Sequence, residues 1–132
     1  MTEREFTLEE ARELVPWLAE VFAALERPRA QARQLDSVVK ELQGKISGNG
    51  GGRSQGELHR QRRALREVSA EIDDAVSDIR ERGILVKAVS PGLVDFPHRR
   101  DGRQVYLCWR EGEPAIDFWH DIDAGFVGRQ PL

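Results

Sequence analysis

With 132 residues, 39% of them hydrophobic and 33% charged, the chain has material for one domain, or for a core with one projecting element. No apolar run approaches the ~18 residues of a membrane span and no secretory leader pattern opens the sequence, so a cytoplasmic protein with no membrane partner is expected. The single cysteine, Cys108, excludes an internal disulfide and a zinc cage built from cysteines. The net charge of −3 hides a segregation: residues 1–26 sum to −5, residues 27–66 to +7, residues 67–82 to −4 and residues 83–132 to −1.

The first helix announces its start with Thr7 and Glu10, the spacing of a capping box in which each side chain satisfies the other's free backbone N–H. Leu8, Ala11, Val15, Leu18, Phe22 and Leu25 then recur at spacings of three and four, the heptad seam of a helix lying lengthwise on another helix. Pro16 falls inside this run, where it removes the hydrogen bond to Arg12 and should kink the helix, and Pro28 marks a break or kink. Beyond it Leu35, Val39, Leu42 and Ile46 resume a seam in a new phase. The run Gly44-Lys-Ile-Ser-Gly-Asn-Gly-Gly-Gly-Arg-Ser-Gln-Gly56 reads as a flexible connector. A long helix follows, with Leu58, Leu65, Val68, Ile72, Ala75 and Ile79 at heptad spacing and Gly83 placed as its left-handed C-terminal cap. Two long helices joined by a short connector run antiparallel.

From Leu93 onward the period changes to two. Asp101-Gly102 is a two-residue hairpin signal, which pairs Arg100 with Arg103, His98 with Val105, Phe96 with Leu107 and Val94 with Trp109. A second turn near Gly112-Glu113 would pair Trp109 with Ile116, Leu107 with Phe118 and Val105 with His120. In that register Val94, Phe96, Val105, Leu107, Trp109, Ile116 and Phe118 share one face, and Asp95, Arg99, Tyr106, Cys108, Arg110, Asp117 and Trp119 share the other. The expected fold is therefore α+β. Residues 1–82 form a long, coiled-coil-like antiparallel helical hairpin with a connector at 44–56. Residues 83–132 form a three-stranded antiparallel β-meander with a C-terminal tail, and the whole packs as one domain.

The stretches Phe6-Thr-Leu-Glu-Glu-Ala11, Pro91-Gly-Leu-Val-Asp-Phe-Pro97, Val105-Tyr-Leu-Cys-Trp109, Trp119-His120 and Asp123-Ala-Gly-Phe-Val-Gly-Arg-Gln-Pro-Leu132 resemble the bacterial family labelled domain of unknown function 2203. The resemblance runs over nearly the whole chain and is most specific in the C-terminal third. It implies a coiled-coil-like region followed by a small module, and no activity or catalytic residue comes with it.

Candidate chemistry centres on two histidines. In the register above, His98 and His120 flank Val105 on the apolar face, about 10 Å apart across two strand spacings. With Asp123 close by, His98, His120 and Asp123 make a candidate divalent-metal site. The favoured reading of the same residues is two histidines capping the sheet edge, with no cofactor bound. Arg99, Arg100 and Arg103 at the hairpin tip, joined by Arg129 of the tail, make a candidate anion site, since the guanidinium fork suits phosphate or carboxylate. A solvated tip and a tail wrapped over the sheet through Phe126 and Val127 are the simpler account. The Gly48–Gly52 run lacks the preceding strand and the Lys-Ser/Thr ending of a phosphate loop. Nucleic acid is not an expected partner: the basic block of residues 27–66 holds no aromatic platform, and 17 of the 20 basic residues are Arg, a general bias. No histidine shares the predicted face of Cys108, so a Cys–His nucleophile is not expected. The expected function is a non-catalytic, self-associating scaffold, a homodimer in which each basic hairpin tip meets the partner's acidic base. The alternative is a small metal- or anion-binding enzyme with its site at the meander edge.

Overall fold

The computed structural model describes residues 4–49 and 52–132. Three α-helices come first, α1 (Leu8–Ala24), α2 (Glu26–Asn49) and α3 (Gly52–Glu81). A five-stranded antiparallel sheet follows, in the order β1 (Leu85–Val89), β2 (Gly92–Arg100), β3 (Arg103–Arg110), β4 (Phe118–Asp121) and β5 (Gln130–Pro131), with a 3-10 turn at Phe126–Gly128. The α+β class stands as expected, and the strand count rises from three to five. The chain divides into two compact units, residues 1–23 with 76–132, and residues 24–75.

In the first unit, α1 opens on the capping box: the Thr7 amide donates to the Glu10 carboxylate at 2.8 Å, and the Glu10 amide donates to the Thr7 hydroxyl at 3.1 Å. The Thr7 amide, and after it the Thr7 hydroxyl, hold the Glu10 carboxyl below its ordinary range. The helix runs through Pro16 and buries Ala11, Val15, Leu18 and Phe22. It packs on the sheet. The Phe22 ring lies 6.2 Å from that of Trp109, and Phe6 meets Phe96 edge-on at 5.2 Å. The Arg12 guanidinium donates to the Ile116 carbonyl at 3.1 Å. A heptad seam and a sheet-facing stripe use the same spacing of three and four, which is why the sequence pattern did not separate them. Gly83 caps α3 with φ +90°, and its amide donates to the Arg80 carbonyl.

The hairpin β2–β3 has the predicted register, from Val94 opposite Trp109 to Arg100 opposite Arg103, across Asp101 (φ +51°) and Gly102 (φ +80°). The next pairing does not. Val105 faces Asp121, Tyr106 faces His120, Leu107 faces Trp119 and Cys108 faces Phe118. Seven residues, 111–117, connect these strands in place of the predicted two-residue turn. Ile116 dips into the core from that connection without joining a strand. The pairing slips by one residue, which moves every side chain of β4 to the opposite face.

In the second unit, α2 begins where Pro28 requires. The proline has no N–H to give the Ala24 carbonyl and its ring crowds that oxygen, so α1 stops at Ala24 and Pro28 sits in the first turn of α2, where amides need no helical partner. The predicted connector is largely helix. α2 continues to Asn49 and α3 starts at Gly52, while Gly50 and Gly51 lie outside the described residues. Val39 and Leu58 are buried, whereas Leu35, Leu42, Ile46, Leu65, Val68 and Ile72 are half-buried.

Candidate functional site

The sheet has two unlike faces. The face against α1 carries Val94, Phe96, Val105, Leu107 and Trp109, all fully buried. The other carries Asp95 on β2, Tyr106 and Cys108 on β3, and Phe118 and His120 on β4. Asp95 and Cys108 stand directly opposite each other, and His120 arrives beside them because of the one-residue slip. The 3-10 turn covers this face. Arg129 stacks on Phe118 and Phe126 at 4.1 and 4.6 Å, and its Nη2 donates to both oxygens of Glu113 at 2.7 and 2.8 Å.

Under this cover one ligand atom each from Asp95, Cys108 and His120 lies within 4.8 Å of the others, all three residues being buried. His120 Nδ1 is 2.8 Å from the Asp121 carbonyl and Nε2 is 3.0 Å from Asp95 Oδ1. A carbonyl only accepts, so Nδ1 carries the proton given to Asp121. Nε2 then faces a carboxylate oxygen across 3.0 Å. Two acceptors at that distance need a cation with them, a proton or a metal. Burial, and then the negative charge of Asp95, push the Cys108 thiol up from 9.0 to about 12, with Arg129 pulling the other way. The thiol is therefore a weak nucleophile on its own. A cavity of about 230 Å³ adjoins the three, walled by Lys87, Leu93, Ile122 and Phe126.

Of the residues singled out in the sequence, only His120 belongs to this cluster. His98 lies on the opposite face, where its Nδ1 is 2.7 Å from the Phe6 carbonyl while the Phe6 amide donates to Pro97. It clasps the N-terminal segment to β2. Asp123 is exposed and outside the cluster. The four arginines are not brought together. Arg99 pairs with Glu5 at 3.1 Å, Arg103 with Asp121 at 2.8 Å, Arg100 stacks over Trp119 at 4.6 Å, and Arg129 holds Glu113. Phe126 does lie against Arg110 of β3, whereas Val127 is 97% exposed. The sequence placed Asp95 and Cys108 on one face and missed only their neighbour, since the β3–β4 connection moved His120 to join them.

These features define a class: an α+β fold whose antiparallel sheet packs helix on one face and buries an Asp–Cys–His cluster on the other. Residues 4–132 match the family described as Uncharacterized conserved protein (DUF2203), and the chain belongs to that family. No curated protein and no solved structure matches the chain. Among the described residues, no helix is long and apolar enough to cross a membrane.

Proposed function

We propose that this protein binds a divalent transition metal, zinc by the chemistry of the donors, through Asp95, Cys108 and His120. The supporting observation is the placement of the His120 ring: Nδ1 lies 2.8 Å from the Asp121 carbonyl, which only accepts, so Nε2 is the atom turned to the Asp95 carboxylate, 3.0 Å away. A backbone carbonyl on the far nitrogen is the usual outer partner of a metal-bound histidine. Thiolate, imidazole and carboxylate together suit zinc, and three protein ligands leave a fourth position, here toward the cavity. A tetrahedral site has edges of roughly 3.3–3.8 Å, so on binding Nε2 and the Asp95 oxygen, 3.0 Å apart, open slightly to admit the ion. The metal displaces the thiol proton, and affinity therefore rises with pH.

The test is direct. Protein stripped with chelator, loaded with zinc and desalted should hold one zinc per chain. Loading with cobalt(II) should give a thiolate-to-cobalt absorption in the near ultraviolet that Cys108→Ser abolishes and His120→Ala weakens. A folded wild type that retains no metal would overturn the proposal and assign the charge between His120 and Asp95 to a proton.

A second reading, self-association through the helical hairpin as a coiled-coil homodimer and scaffold, is favoured by the seam itself. Leu35, Leu42, Ile46, Leu65, Val68 and Ile72 stay half-buried. Another copy of the chain would cover such a stripe.

A further inference from the structure

On α3 the charge changes sign in mid-helix. Residues 60–66 hold four arginines and no acid, and residues 67–78 hold five acids and no base. A groove on this helix is lined by Arg62, Leu65, Arg66, Ser69, Ala70 and Asp73. Its order is reciprocal about the level of residues 67 and 68: Arg62 mirrors Asp73, Leu65 mirrors Ala70 and Arg66 mirrors Ser69. The charges at its two ends have no use inside the chain. Arg60 is tied to Glu57 and Arg63 reaches Glu67, but among the described residues the side chains of Arg62, Arg66 and Asp73 make no ion pair or hydrogen bond.

We infer that this groove is the contact between two copies of the chain, with their α3 helices crossing antiparallel about a two-fold axis at the level of residues 67 and 68. The inference rests on the self-association reading and gives it a surface and a sense. In this arrangement Arg62 of each copy meets Asp73 of the other, so one pair is formed twice. Ser69 and Ala70 are small enough for the two backbones to come close, and Leu65 packs over the opposite Ala70. A parallel pairing sets Arg62 on Arg62 and Asp73 on Asp73, so the charges select the sense of the dimer as well as favouring it.

The experiment is sedimentation equilibrium of the full chain at micromolar concentration, with circular dichroism to confirm equal helicity. Wild type should be a dimer. Arg62→Asp alone and Asp73→Arg alone should each weaken it about tenfold, since each places two like-charged pairs in the contact. The double variant Arg62→Asp/Asp73→Arg should return to within about threefold of wild type, because the pairs are restored with their signs exchanged. A monomeric wild type overturns self-association altogether. A dimer whose single variants bind as wild type, or whose double variant is no better than the singles, overturns this surface and leaves the broader reading standing.

Discussion

Gly92 is a glycine for reasons of space. Its φ is not in the left-handed region, yet a Cβ added there would meet three atoms of the Phe22 ring at 2.6, 2.6 and 2.8 Å. Ordinary contact begins near 3.4 Å, so the ring must retreat by roughly 1 Å. It has nowhere to go: Phe22 is fully buried and stacked beside Trp109. Overpacking of this kind costs about 1–3 kcal/mol, against ~0.4–1 kcal/mol returned by the stiffer unfolded chain. Gly92→Ala should therefore lose ~1–2 kcal/mol, a fall in Tm of about 3–10 °C for a domain of this size. Gly44→Ala is the control with the opposite sign. It lies inside α2 with nothing within 4 Å of the added carbon, so it should gain ~0.5–1 kcal/mol. Urea denaturation of both variants, and of Gly92→Ala in a Phe22→Leu background, supplies the coupling. The alanine should cost less once the ring is replaced. If Gly92→Ala is neutral, or its cost is the same beside Leu, then α1 does not press on β2 as described.

Two more results are expected. Trp119 is buried against the α1 side of the sheet while Phe118 is half-buried beneath Arg129, so Trp119→Ala should cost about 3–5 kcal/mol and Phe118→Ala only ~1–2 kcal/mol in denaturant titrations; the reverse order would restore the register read from the turn at Gly112-Glu113. For Cys108, the folded thiol is held up to about 12 against a free value of 9.0. Between those values the unfolded chain has lost a proton that the folded chain keeps, so metal-free wild type should lose stability as pH rises from 9 toward 12, more steeply than Cys108→Ala, and equal slopes would remove the argument.

Features fixed by near neighbours were legible in the sequence. The Thr7–Glu10 box, the Gly83 cap and the Asp101-Gly102 hairpin each depend on a few consecutive residues, and all three occur. What failed depends on distance along the chain. The stripe on α1 was right in its members but did not reveal the sheet it packs on, because periodicity reports which side is buried and not what covers it. β1 was absorbed into the segment after Gly83, since Leu85–Val89 shows no clean alternation and pairs across a bulge. The glycine-rich run from Gly44 to Gly56 suggested a connector, yet Gly44 and Gly48 lie within α2 and Gly52 and Gly56 within α3. The cluster was hidden by one residue of register. With His120 on the face of Val105 the sequence offers a histidine pair, and with His120 beside Cys108 it offers a site.

The edges of the sheet bear on how the molecule can meet another. β1, on one side, is bulged between Val86 and Ala88 and carries Lys87 at the irregularity, so its outer row of amides and carbonyls is broken and charged. β5, on the other side, is two residues long and includes Pro131, which has no N–H to offer. Neither border can template the strand of a neighbour, and the two devices are those that keep sheets from stacking edge to edge into fibres. Contacts between copies are thereby steered away from the strands and onto the helices, whose side chains, unlike an open ladder of backbone groups, can choose their partner.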